Sequence, residues 1–118
     1  MPLVKKRVTV AAGATSDQIL QGTTYEYVDP GTRLVVAAQD ATSTYEAKTN
    51  LNFTVNNSEF AKDALVSEAV TGQPFGWNNT GYVMNDTVTT GNVRNRPVIT
   101  FTNTGSASAD IDVAIFIA

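Results

Sequence analysis

The chain contains neither cysteine nor histidine in its 118 residues. Without cysteine there is no disulfide, no thiolate nucleophile and no iron–sulfur ligation. Without histidine the Ser-His-Asp and Cys-His systems are excluded, together with the commonest zinc ligand. Phosphate-binding motifs of the GxxxxGK[ST] and GxGxxG kinds are also absent. The sequence therefore predicts a protein that is not an enzyme and that uses no cofactor.

Long apolar runs and strong charge are missing as well. No window approaches the roughly 20 apolar residues of a membrane span. The formal net charge of -3 argues against a nucleic-acid-binding domain. The apolar stretch after Met1 ends at Val4, where a basic run begins, which is unlike a signal peptide. We expect a soluble protein of cytoplasmic origin with no membrane partner.

The composition favours β-structure, because threonine and valine suit strands while asparagine and glycine suit the turns between them. The length fits one domain, residues 1–118. Ile19 and Leu20 are expected to anchor an early loop in the core. Short strands separated by polar turns predict an all-β, single-domain antiparallel β-sandwich or a barrel. The predicted strands before the closing stretch are 4–12, 23–28, 33–39, 51–55 and 82–88.

The closing stretch, residues 96–118, reads as a β-hairpin. Two apolar runs flank the turn formers at 103–106. On the return strand Asp110, Asp112, Ala114 and Phe116 share one face, which starts charged and ends apolar. A strand that is apolar on both faces is covered on both faces. We therefore expect the N-terminal segment or another subunit to cover the end of this strand. The alternative, a single exposed Phe116, is equally open, because isolated exposed apolar residues are normal.

Residues 59–70 fit two structures. Ser58 is a candidate helix cap, and Phe60, Ala64 and Leu65 have helical spacing. The same residues also fit an extended segment with a bend. The sequence leaves a helix and a bent strand equally open here.

Two carboxylate pairs are candidate chemical sites. Asp110 and Asp112 lie at i and i+2, so they share a strand face where calcium could bind. Glu26 with Asp29 is the other pair, and paired carboxylates can serve glycoside hydrolysis. Neither spacing is specific, and a solvated strand face is the simpler interpretation. No metal site is predicted.

Lys5, Lys6 and Arg7 form a short basic run near the terminus. Such a run can contact phosphate or an acidic surface inside a particle. Charged residues also discourage unwanted pairing of an edge strand. We favour the second interpretation, an edge-strand guard.

Phe75, Trp77 and Tyr82 surround a loop rich in glycine and asparagine. Exposed aromatic rings of this kind form sugar-binding platforms. The same residues can instead pack one end of a sandwich, which we favour. They remain a candidate aromatic surface.

Three stretches together resemble one family: VTVAAGATSDQILQGTTYEYVDPGTRLVVAAQ, TGQPFGWNNTGYVMNDTV and ITFTNTGSASADIDVAIFI. They are similar to small structural proteins of tailed-bacteriophage virions, of the type that decorates or cements capsids. The resemblance covers most of the chain and is one of pattern. It implies a jelly-roll-like sandwich that is made in the host cytoplasm and ends in the virion.

The resemblance also implies partners. A cement protein bridges neighbouring subunits of the major capsid protein and is itself a small homo-oligomer, with a trimer favoured by analogy. Leu3, Val4 and Phe116 are the expected interface residues, and residues 1–7 a candidate N-terminal arm. Two alternatives stay open. One is a self-assembling coat protein, and the other is a carbohydrate-binding module or fibre tip that uses Trp77.

Overall fold

A computed structural model describes residues 3–42, 48–56, 58–66, 83–91 and 93–118. These residues contain strands and no helix, as the composition predicts. All strand pairings are antiparallel. The strands are β1 (Leu3–Val10), β2 (Arg33–Asp40), β3 (Thr49–Val55), β4 (Ser58–Leu65), β5 (Val83–Val88), β6 (Pro97–Asn103) and β7 (Ala109–Ile117).

The strands form two sheets, ordered β1-β7-β2-β5 and β4-β3-β6. Between β1 and β2 the chain runs beside the open edge of β6. Ser16 donates its backbone N–H to the Phe101 carbonyl at 2.7 Å, and Ile19 donates to the Ile99 carbonyl at 3.0 Å. The chain crosses between the two sheets after β2, β4, β5 and β6. The predicted antiparallel β-sandwich is confirmed.

The core lies between the sheets and follows from the alternation of apolar residues. Along β3 and β6, buried side chains alternate with half-buried ones throughout. The central strands β2 and β7 are buried more continuously. The anchoring role predicted for Ile19 and Leu20 is confirmed, since they are 2% and 0% exposed. The largest fully buried side chains include Phe53, Phe101, Leu20, Leu34, Leu51, Ile99, Ile111 and Ile115.

The predicted closing hairpin is wrong, although both of its strands exist. β6 pairs with β3, whereas β7 pairs with β1 and β2 in the other sheet. The buried Asn103 side chain holds the crossing, donating to the carbonyls of Val10 at 3.0 Å and Ala107 at 2.8 Å. Two strands that are consecutive in sequence can pair in one sheet or lie in facing sheets, and either arrangement buries their apolar faces. The local pattern of apolar residues does not distinguish these two arrangements.

The strand predicted at 23–28 is also wrong. These residues form turns and bends, with one isolated bridge between Val28 and Asn95. Thr23 donates its hydroxyl to the Leu20 carbonyl at 2.7 Å and accepts the Tyr25 N–H at 3.2 Å. Such local hydrogen bonds from a side chain compete with the backbone hydrogen bonds of a β-sheet.

The bent-strand alternative is correct for residues 58–65, which form β4. The register of β4 against β3 shifts twice, around Phe53. Asp63 has a φ of 51°, and its N–H is bonded to the Asn52 side-chain oxygen at 3.0 Å. These features are β-bulges, which bend an edge strand. Residues 67–70 lie outside the described residues.

The candidate N-terminal arm belongs largely to a sheet. From Leu3 onward the chain pairs with β7, starting opposite Phe116 and ending with Val10 opposite Ala109. Residues 1 and 2 lie outside the described part of the chain.

Candidate interaction surfaces

Among the described residues, five large apolar side chains are exposed, and they fall into two groups. Tyr27, Val88 and Val93 are 46%, 52% and 72% exposed and lie at one end of the sandwich. Phe60 and Leu65 are 40% and 51% exposed and lie on β4. Each group is a candidate interaction surface, because exposed apolar area beyond single scattered residues marks such surfaces.

The first group is held together by Asn95, which is only 1% exposed. Its backbone exchanges two hydrogen bonds with Val28, at 2.7 and 2.8 Å. Its side chain donates to the Val93 carbonyl at 3.2 Å and accepts from the Asn56 amide. One buried asparagine therefore joins three loops at this end.

Two arginines flank Tyr27 there. Arg94 donates to the Tyr27 carbonyl at 2.7 Å, and its Nε lies 3.6 Å from Asp29. The guanidinium carbon of Arg96 lies 6.0 Å from the centre of the Tyr27 ring. Tyrosine and arginine are the side chains that most often dominate binding energy at protein interfaces. We call this surface, made of Tyr27, Val88, Val93, Arg94 and Arg96, the arginine end.

The backbone under the arginine end is tightly bonded. Thr89 donates its hydroxyl to the Asp29 carbonyl at 3.0 Å and its N–H to the Thr32 carbonyl at 2.9 Å. Gly31, which has a φ of 86°, donates its backbone N–H to the Thr89 carbonyl at 3.0 Å. A surface on loops fixed in this way loses little conformational freedom on binding.

The second group follows β4, and we call Glu59, Phe60, Asp63 and Leu65 the β4 strip. The register shift between Phe53 and Thr54 leaves Phe60 without a register partner on β3. Its ring nevertheless stays 5.7 Å from the ring of Phe53, at a tilt of 45°. The bulges thus place an aromatic side chain at the sheet edge with one side on the core and the other exposed.

The three expected interface residues lie together where β1 pairs with the end of β7. Leu3 is the register partner of Phe116, so these two positions are adjacent. Val4 is partly buried and packs against the core of its own chain. Phe116 is half-buried. Their role in an interface stays a prediction. The candidate aromatic surface of Phe75, Trp77 and Tyr82 lies outside the described residues.

The carboxylates of β7 share a face, as predicted, and both are bonded to β1. Asp112 accepts two bonds from the Arg7 guanidinium, at 2.7 and 3.0 Å, and Asp110 accepts from the Thr9 hydroxyl at 2.7 Å. The hydrogen bond to Asp112 and the charge of Asp112 raise the pKa of Arg7 above its usual value. Within the described ranges, no three acidic residues come together as a metal site.

In the other carboxylate pair, Asp29 lies near Arg94, as described above, and both acidic residues belong to the turns and bends before β2.

The basic run lies on an edge strand, as the guard interpretation requires, because β1 ends its sheet. Arg7 is paired with Asp112 across the ladder. Lys6 is the register partner of Val113, whose side chain is fully buried, so it sits on the core side of the sheet. Its ammonium group reaches the Ile19 carbonyl at 3.4 Å. A charged residue on the inner side of an edge strand discourages pairing with another strand.

The opposite end of the sandwich has a buried polar site that sequence reasoning missed. Asp40 is 3% exposed and accepts bonds from the Thr42 N–H at 2.9 Å and the Thr49 hydroxyl at 3.4 Å. Beside it, against Asn103 and Lys48, lies a niche of about 10 Å³, the size of one water molecule. The available sequence signal is the position of Asp40, a carboxylate that ends an apolar strand.

No protein-family model, curated protein or solved structure matches this chain. In the described part of the chain no helix is long and apolar enough to cross a membrane.

Proposed function

We propose that this chain is a structural protein of a bacteriophage virion, which decorates or cements the capsid by bridging neighbouring capsid subunits. The observation that carries the proposal is the exposure, among the described residues, of large apolar side chains on the arginine end and the β4 strip. Both surfaces are suited to protein partners.

The chemistry of the surfaces supports a binding role. The arginine end combines an exposed tyrosine, two arginines and Val93 on bonded loops with Val88 at the end of β5. Protein interfaces are enriched in tyrosine and arginine and carry a polar rim.

The fold is compatible with the proposal and does not carry it. Jelly rolls occur in viral capsid proteins and in lectins, and one fold serves many functions. The sequence resemblance selects the virion from these alternatives. The expected mechanism is avidity, in which a small oligomer makes several modest contacts with the capsid at once.

The test is the mass of the purified protein in solution, measured by size-exclusion chromatography with light scattering. A closed oligomer of a few subunits supports a decorating role. Particles of megadalton mass would instead support the self-assembling coat protein. A monomer at all concentrations contradicts the avidity mechanism.

The carbohydrate-binding alternative has its own measurement. The chain contains one tryptophan, Trp77. A change in its fluorescence on addition of a glycan would support a sugar-binding module, and unchanged fluorescence across a broad glycan panel would exclude that use of Trp77.

A further inference from the structure

We infer that the arginine end of one copy of this chain binds the β4 strip of a second copy. This inference rests on the proposed function, because it specifies the contact by which the small oligomer forms. The two surfaces are described above, and each contains exposed apolar side chains beside charged ones.

The charges of the two surfaces are of opposite sign. At the arginine end, Arg94 and Arg96 outweigh Asp29, which leaves one net positive charge. On β4, Glu59 and Asp63 outweigh Lys62, which leaves one net negative charge. Opposite charges across an interface select the correct pairing and its orientation.

Charge also disfavours the symmetric alternatives. Two arginine ends in contact would bring four arginines together around the apolar side chains, and two β4 strips would oppose their carboxylates. Like charges facing each other in an interface discriminate against that pairing. The end-to-strip contact is the one that pairs unlike charges.

The exposed apolar side chains of the two surfaces favour the same contact. Tyr27 and Val93 offer flat and branched surface at the arginine end. Phe60 and Leu65 extend from the bulged edge strand. Because the bulges interrupt the regular backbone edge of β4, we expect side chains, and not added strand pairing, to make the contact.

A contact between two different surfaces is heterologous. Such contacts repeat from copy to copy and either close into a ring or continue as a filament. A closed ring is the form that a small decorating oligomer requires. The number of subunits follows from the rotation between neighbours, which light scattering measures.

The experiment reverses the charges on each surface separately and then together. Variant one carries R94E and R96E. Variant two carries E59R and D63N, since asparagine tolerates the positive φ at residue 63. Each alone is expected to weaken association at least about 100-fold by light scattering over a dilution series. A chain carrying all four substitutions is expected to recover the wild-type oligomer.

Two further variants sharpen the result. Lys62→Glu adds negative charge to the β4 strip and is expected to tighten association about tenfold. Asp17→Arg reverses an exposed charge outside both surfaces and should leave association unchanged. Circular dichroism confirms that each variant is folded.

The outcomes separate this inference from the proposed function. A wild-type oligomer that none of the reversals weakens overturns the end-to-strip contact and leaves the decorating role standing. Weakening without recovery in the combined variant also overturns it. A monomeric wild type overturns both.

Discussion

The two ends of β6 are organised alike but present different surfaces. A buried asparagine stands at each end: Asn95 just before the strand and Asn103 as its last residue. Each joins neighbouring loops through its side chain. Around Asn95 the surface is apolar and carries arginines, whereas around Asn103 the cluster is polar and enclosed. We infer that one end serves binding and the other serves stability.

The difference lies in what surrounds each asparagine. Asn103 caps a turn between the layers, next to the buried Asp40 and Thr49. Buried polar groups specify a structure when all of them are bonded. Asn95 sits beneath Val93 and Arg94, so its bonds support side chains that point into solvent. Similar local chemistry therefore supports different roles at the two ends.

The largest expected effect is that of Asn103→Ala. The Asn103 side chain donates to Val10 and Ala107 and accepts the Gly105 N–H at 2.9 Å. Removing it leaves these groups unbonded near the core and should lower the free energy of unfolding by about 3 kcal/mol or more. Urea denaturation measures this. A loss below about 1 kcal/mol would contradict the stabilising role of this end.

Asn95→Ala should cost less, about 2 kcal/mol, because its side chain makes two bonds, to Val93 and from Asn56. It should also weaken self-association, since the loops under the arginine end lose their common support. Asn103→Ala is the matched control for that second effect. Equal weakening of association by both variants would remove the distinction between the ends.

Gly13→Ala and Gly31→Ala form a matched pair, one at each end. Their φ angles are 74° and 86°, and a Cβ would meet no atom within 4 Å at either position. Each should cost about 1 kcal/mol, because only backbone strain is added. Equal losses in urea denaturation would show that side-chain chemistry, and not backbone strain, distinguishes the ends.

The smallest effect on stability is expected for Arg94→Ala combined with Arg96→Ala. Both side chains are exposed, and the ion pair with Asp29 is long at 3.6 Å. The free energy of unfolding should change by about 0.5 kcal/mol or less, while association weakens. A large loss of stability with unchanged association would assign these arginines to the fold instead.

Much of the strand content was predictable from local pattern. The alternation in β3 and the apolar run in β2 mark strands and their inner faces without any tertiary information. The anchoring of Ile19 and Leu20 followed from two large apolar residues inside a polar loop. The sequence does not predict the candidate surfaces, because the pattern around Tyr27 favours a strand and residues 59–70 fit both a helix and a bent strand.

Sequence alone determined that this chain is an all-β domain without cysteine or histidine chemistry, because side-chain period and composition are local properties. Only the tertiary structure decided that β6 and β7 lie in different sheets, since a strand's neighbour is a non-local choice. It also decided that Asn95 and Asn103 are buried and that Tyr27 and Phe60 are exposed. Exposure depends on which strands cover which faces, and that depends on the whole chain at once.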